Sequence, residues 1–286
     1  MKKETSTYIA FVVFGLVAAL TLYYVAHQSW TNKDIPMLDF HRVADCNQTE
    51  ECEAEFDAYL GCLNSSGYDV ISLAQLERHI TKGAVLPPNP IVLTFDDGFK
   101  DAYATAYPLL KKYGYTATFF VITTHAEEAT PGYLSWQEIE EMAASGQDIE
   151  LHANIGHTNR SIIGPNVTRG TFFGNRRYLE NYSRWETDKE YKNRAKDDLA
   201  TSIRLIREHT GRAPHYWAYP YGDYGQFTDP SRPVERLLRE AMTEEKITMG
   251  LLVDKEMPIN ATDLYRMGRL KPDWHESGCD LPWQGK

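Results

Sequence analysis

Two adjacent aspartates, two histidines five residues apart and one early histidine have the types and spacing for hydrolytic chemistry. Asp96 and Asp97 stand in Thr94-Phe95-Asp96-Asp97-Gly98, directly after the apolar run from Ile91 to Phe95. Neighbouring side chains at a strand's end point to opposite sides, so this pair cannot act as one bidentate clamp. It can divide labour, one carboxylate reaching a metal and the other staying free as a base. The plain alternative is an Asp-Gly turn with solvated carboxylates. His152 and His157, in Leu-His-Ala-Asn-Ile-Gly-His, are five apart and can converge on one ion from a curled loop, though not from one regular helical face. Taken singly, each reads as a packed or surface histidine. Tyr216-Trp217-Ala218-Tyr219-Pro220-Tyr221-Gly222-Asp223 is an aromatic strand tail closed by a Pro/Gly turn, with hydrophobic core as its alternative. His41 ends the first strand-like run, PMLDFHRV.

These groups need a scaffold that brings them together, and the rest of the sequence supplies one. Short apolar runs at Ile91–Phe95, Thr116–Ile122, Asp148–Leu151, His215–Tyr219, Thr248–Val253 and Tyr265–Leu270 predict strands. Helical spacing lies between them: Ala102–Tyr113, a helix opened by the capping pair Ser72 and Gln75, and another opened by Ser135 and Glu138. A long helix is predicted within Lys189–Thr210 and a shorter one after Pro233. Gly164–Arg184 reads as a long surface loop. Alternating βα units imply a parallel sheet, open or closed into a barrel, whose functional groups collect at the C-terminal ends of the strands.

The chain has 286 residues, 30 Lys+Arg against 40 Asp+Glu, and a formal net charge of −10. That balance argues against a nucleic-acid partner, which needs a basic footprint. Tyr8–Ala26 is a run of 19 residues without a charge, about 28 Å as a helix, preceded by Lys2 and Lys3. It reads as a signal-anchor, with residues 1–7 as a cytoplasmic tip and 27–34 as a tether; a cleaved signal peptide is the alternative. Either way the remainder lies outside the cytoplasm, periplasmic or extracellular, where Cys46, Cys52, Cys62 and Cys279 can form one or two disulfides.

LTFDDGFKDAYATAYPLLKKYGYTATFFV, LHANIGH and WAYPYGDYG, in this order, resemble the motifs of the polysaccharide deacetylases with a NodB-type domain, carbohydrate esterase family 4. PMLDFHRV, with SLAQLERHI before the TFDDG segment, is similar to the poly-N-acetylglucosamine deacetylase branch, in which an early histidine replaces a late catalytic one. The resemblance covers roughly Ile35 to Leu270. It implies an α/β fold, a distorted (β/α) barrel of NodB type over residues 35–272, preceded by the transmembrane helix and followed by a tail at 273–286. By position it implies that Asp97, His152 and His157 hold a divalent transition metal, zinc foremost, with cobalt, nickel or iron accepting the same donors. Asp96 becomes the general base and His41 the general acid. The backbone N–H of Tyr221 helps bind the oxyanion, while Trp217, Tyr219, Pro220 and Tyr221 line a sugar groove. The implied reaction removes N-acetyl groups from an N-acetylhexosamine polysaccharide of the cell wall or exterior.

Amide hydrolysis requires an activated water, a sink for charge on the carbonyl oxygen and a proton for the departing amine, and this residue set covers all three. Two functions of other classes compete. One is a non-catalytic glycan-binding or scaffold protein of the same fold; the other is metal-assisted phosphoester or small-amide hydrolysis, where the histidine donors disfavour magnesium and no phosphate-cradling glycine loop is present. The chain departs from the family pattern in three places. The histidine pair is five apart instead of four, as in the poly-N-acetylglucosamine branch. Ala218 stands where many members carry a base-orienting arginine, leaving Arg266 or Arg269 for that role. No late leucine-x-x-histidine motif is evident, and His275 is the weaker alternative acid. His125 reads as a surface or groove residue.

Overall fold

The computed structural model describes residues 14–18, 35–43, 50–157, 170–253 and 263–272, with backbone alone at 50–52. The chain divides into two units, Met1–Ile35 and Pro36–Lys286. In the first, residues 14–18 are helical. Among the described residues no helix is long and apolar enough to cross a membrane. Most of the expected anchor, the tether, Cys46, Cys279, His275 and the 273–286 tail lie outside the described residues.

In the second unit a parallel sheet is assembled from β1 (Met37–Phe40), β2 (Asp69–Val70), β3 (Pro90–Phe95), β4 (Thr118–Ile122), β5 (Asp148–Ala153), β8 (Tyr216–Ala218) and β9 (Met249–Leu251). Its order is β1-β3-β4-β5-β8-β9, with β2 paired to the start of β3. The predicted strand at Tyr265–Leu270 takes a different form. Leu264–Arg266 is a single 3₁₀ turn, and the next residues make isolated parallel bridges, Met267 to Leu251 and Leu270 to Leu38. Leu252 N–H donates to Met267 O at 2.8 Å, and Asp39 N–H donates to Leu270 O at 2.8 Å. This short stretch therefore joins β9 to β1 and closes the barrel. Pairing is thinnest between β5 and β8, where Leu151 opposite Trp217 is the one registered pair. There Glu150 Oε2 accepts from the His215 and Tyr216 N–H groups at 2.7 and 2.8 Å, substituting a buried side chain for missing ladder bonds.

Strand residues are buried on both faces, as a helix-covered parallel sheet requires. One face carries Leu38, Phe40, Leu93, Phe95, Phe119, Val121 and Leu151 into the apolar core. Phe40, Phe95 and Phe119 stack successively with ring centroids 5.0 and 4.9 Å apart. The alternate residues Asp39, Thr94, Asp96, Phe120 and His152 fall on the opposite face, because side chains alternate along a strand. That parity carries the chemistry into the barrel interior.

Helices form at each predicted place, and two more, the first and fourth named next, were not expected. They are α1 (Glu50–Ser65), α2 (Leu73–Lys82), α3 (Tyr107–Tyr113), α4 (Thr123–Glu127), α5 (Trp136–Ala144), α6 (Asp188–Thr210) and α7 (Glu235–Glu244). Both expected capping boxes are present, at Ser72 and Ser135, and Thr187 with Glu190 adds a third. Residues Ala102–Ala106, predicted as ordinary helix, form a π turn ahead of α3. The expected long loop after Gly164 carries an antiparallel ribbon, β6 (Tyr178–Leu179) with β7 (Arg184–Trp185), and Phe172 and Phe173 beside it are buried. Cys62 is disulfide-bonded, with its partner sulfur outside the described side chains.

Candidate active site

The two aspartates leave β3 in different directions. Asp96 continues the strand, its N–H donating to Phe40 O at 2.8 Å, and its carboxylate enters the barrel. Asp97 then adopts a left-handed backbone, φ 70°, uncommon for a residue with a Cβ and characteristic of functional sites. Gly98 follows at φ 72°, a left-handed backbone that favours glycine. The turn swings the Asp97 carboxylate across to the end of β5.

There His152, buried, places Nε2 3.1 Å from Asp97 Oδ1, and His157 places its own Nε2 3.3 Å from the same oxygen. His152 Nδ1 lies 2.8 Å from Ala218 O, so Nδ1 carries the proton and Nε2 keeps a lone pair for a ligand. Trp217 locks the same strand by donating Nε1–H to His152 O at 2.7 Å. The His157 ring is held at a centroid distance of 4.5 Å from the Tyr221 ring, which stacks on it. Its loop is held by Asp198 of α6, whose two oxygens accept from the Asn154 and Ile155 N–H groups at 2.8 and 2.9 Å.

Asp97 Oδ1 is buried with no hydrogen-bond partner, although two imidazole nitrogens surround it. Burial by itself would raise the Asp97 pKa, but the His152 ring outweighs it and holds the carboxyl at about 2. Burial and the nearby His152 push His157 down to about 4, which keeps its ring neutral. One carboxylate oxygen and two imidazole nitrogens within 4.8 Å of one another fit a borderline transition ion and leave further coordination positions open.

Asp96 takes no part in that triad. Arg269, fully buried, forks it: Nη1 donates to Oδ1 at 2.7 Å and Nη2 to Oδ2 at 2.6 Å. Arg269 is itself fixed by Nε donating to Leu252 O and Nη1 donating to Thr94 Oγ1, both at 3.0 Å. Burial would raise the Asp96 pKa, but the guanidinium prevails and the net direction is down, so the carboxylate is ionised and oriented. Each of its oxygens retains a lone pair beyond the Arg269 bond. His41 stands at the mouth on the end of β1, its side chain 31% exposed, with Nδ1 3.4 Å from Asp39 Oδ1. Asp39, His41 and Asp96 also group closely enough to suggest ligands, but the Arg269 guanidinium among them excludes a cation.

Several sequence-based assignments need correction. Arg266 does not reach Asp96; it is exposed and donates from Nε to Asp263 at 2.8 Å. Trp217, Tyr219 and Pro220 do not line a groove, being buried in the core behind the site; the Tyr219 hydroxyl donates to Tyr265 O at 3.0 Å. Of the aromatic turn only Tyr221 is open, 44% exposed, with a left-handed backbone at φ 60° beside His157. His125 is apart from the cluster, stacked on Tyr133 at 3.7 Å. Asp39 and Asp198 escaped the sequence reading. An acid inside the apolar strand MLDF was the available signal for Asp39; Asp198 left none, being one acid among many on a helix.

A family model described as polysaccharide deacetylase matches residues 84–232. A poly-β-1,6-N-acetyl-D-glucosamine N-deacetylase of Escherichia coli (strain K12) is 26% identical over 222 residues, covering 70% of this chain and 32% of that protein. The enzyme of the same name from Staphylococcus aureus (strain MSSA476) is 30% identical over 117 residues, 38% of this chain and 40% of its own. The chain thus matches about a third to two fifths of the length of these relatives. Among solved structures, a de-N-acetylase from Aggregatibacter actinomycetemcomitans superposes with TM-score 0.69 at 23% identity, over 85% of this chain and 97% of that one. IcaB from Ammonifex degensii superposes with TM-score 0.65 at 24% identity, over 85% and 95%. These two likenesses establish the fold, a parallel barrel with helices outside it. The family match spans more than half of the sequence, including both aspartates of the TFDDG turn, both histidines of the β5 loop and the Tyr221 turn, and by it the chain belongs to the polysaccharide deacetylase family.

Proposed function

We propose that this protein is a metal-dependent N-deacetylase that releases acetate from N-acetylglucosamine-type residues of an exported polysaccharide. One observation carries the reading: Asp97 Oδ1, buried and faced by two imidazole nitrogens at 3.1 and 3.3 Å, beside a second carboxylate that Arg269 keeps out of that cluster. Asp97, His152 and His157 are the residues that hold the metal, and zinc suits them best. A divalent ion bound there supplies Lewis acidity toward a water molecule and the acetyl carbonyl. Asp96, ionised and held in one orientation, accepts the proton of the attacking water. The Tyr221 N–H faces the developing oxyanion, a role worth about 3–4 kcal/mol in comparable sites. His41 delivers a proton to the nitrogen as the C–N bond breaks, so acetate and a free amine leave. The uncharged run at residues 8–26, long enough to span a bilayer, and the disulfide at Cys62 support an anchored location outside the cytoplasm.

The names of the E. coli and S. aureus relatives support poly-β-1,6-N-acetylglucosamine as the polymer. The test is product analysis with defined β-1,6 and β-1,4 N-acetylglucosamine oligomers on the zinc-loaded protein. Acetate release from the β-1,6 series, abolished by a chelator and restored by added zinc, is expected. Specific oligomer binding without acetate release would favour a glycan-binding protein and end the hydrolytic reading.

A further inference from the structure

We propose that Arg42 is a specificity-determining residue at the mouth of the site: it disfavours a neighbouring sugar unit that already carries a free amine, so that the protein selects N-acetyl units flanked by N-acetyl units. The proposal rests on the deacetylase reading, in which every turnover leaves an amine on the polymer. Arg42 follows His41 just beyond β1 and is exposed. Its guanidinium carbon lies over the Phe99 ring, 4.0 Å from the centroid. Phe99 stands two residues past Asp97, and its ring centroid is 5.1 Å from that of Tyr133. His125 closes the row, 3.7 Å from Tyr133. The backbone beneath is tied from both sides: Lys100 N–H donates to Gly132 O and Leu134 N–H donates to Gly98 O, each at 2.9 Å. Arg42 therefore sits on a fixed platform beside the metal triad's own turn. A guanidinium stacked on an aromatic face is held in place while its N–H groups stay available at its edges.

No carboxylate among the described residues pairs with Arg42, in a chain with 40 Asp+Glu against 30 Lys+Arg. The carboxylates nearest the opening are already matched. Asp39, Asp96 and Asp97 are buried; Arg269 contacts the first two, and a divalent ion held by Asp97, His152 and His157 offsets what remains. Arg42 is then a surplus positive charge where sugar units must pass. Tyr133 registers both sides of that opening: burial and Asp97 raise its pKa, and Arg42 opposes them. An N-acetylhexosamine unit is neutral, and its hydroxyl oxygens can accept from the Arg42 N–H groups. A glucosamine unit carries an ammonium near neutral pH, with donors only, and two like charges a few ångströms apart repel. The net charge of −10 draws an ammonium toward the molecule from a distance, whereas Arg42 acts at contact. Such a penalty falls on binding and weakens with salt.

Three β-1,6 trimers test this: one fully N-acetylated, and two with a free amine on one or the other terminal unit. Their affinities for the zinc-loaded full chain carrying Asp96→Asn are read by calorimetric titration, which measures discrimination without turnover. At low salt at least one amine-bearing trimer should bind about three- to tenfold more weakly than the acetylated trimer, and the gap should close in about 0.5 M salt. Adding Arg42→Gln should close the gap at either salt, and Arg42→Glu should reverse it. Equal affinities with Arg42 in place, a gap that survives Arg42→Gln, a gap indifferent to salt, or binding of none of the three would overturn the proposal. Acetate release by the wild-type chain separates this from the reaction itself. Equal kcat/KM on all three trimers would keep the deacetylase and discard the role of Arg42. Discriminating binding with no acetate released would keep the role of Arg42 and discard the deacetylase.

Discussion

Replacing Arg269 by alanine would leave Asp39 and Asp96 buried with no cation between them. The expected result is a loss of about 3–5 kcal/mol of folding stability in a denaturant melt, together with loss of acetate release. Arg269→Lys restores most of the stability and little of the rate, because an ammonium cannot fork a carboxylate. Arg266→Ala is the control: its partner Asp263 is at the surface, so stability changes by less than about 1 kcal/mol and the rate by less than about twofold. The two arginines are three residues apart and equivalent as letters; only the 3₁₀ turn at Leu264–Arg266 and the bridges after it decide which one enters the barrel. Asp96, Asp97, His152 and His157 were legible because rare chemistry is concentrated in two short motifs, each directly after a strand. Trp217 and Tyr219 were not, since an aromatic letter near a turn does not say which side of the sheet its ring occupies.

At the scale of elements, two side chains repair what the strands leave undone. Asp198 fastens the loop that brings His157 to His152, and burial raises its pKa even though it accepts three loop N–H groups, from Asn154, Ile155 and Gly156. Asp198→Ala is expected to weaken zinc binding by about 10–100-fold, read by calorimetric titration, with the far-UV circular dichroism preserved. Glu150 does the corresponding task between β5 and β8. Burial raises its pKa to about 8, despite the two N–H groups it accepts. Because the folded pKa exceeds the unfolded one, the stability it contributes is fully present below about pH 4.3 and is lost as pH rises toward 8. Both N–H groups reach a single oxygen, Oε2, so a glutamine carbonyl can take them over. Glu150→Gln should therefore raise the unfolding free energy at pH 8 by on the order of 2 kcal/mol, read in a denaturant titration, and leave it nearly unchanged at pH 4.5. The parallel sheet follows from alternating βα periodicity, whereas the β6–β7 ribbon has two-residue strands, too short for any period to show.

For the molecule as a whole, the disulfide at Cys62 fastens α1, the helix that carries Phe56 against Phe40 with ring centroids 5.4 Å apart. Reduction with dithiothreitol is expected to lower stability by about 2–4 kcal/mol in a denaturant titration, while zinc affinity stays within about twofold, because no sulfur belongs to the metal triad. The closing stretch has the widest reach. Asp97, His152 and His157 all precede residue 160, but the guanidinium that orients Asp96 is borne on the segment that seals the barrel. The triad needs Asp198 and β8 to hold its histidines, whereas the base is aligned only when residues 267–270 dock between β9 and β1. Alignment of Asp96 then coincides with completion of the sheet.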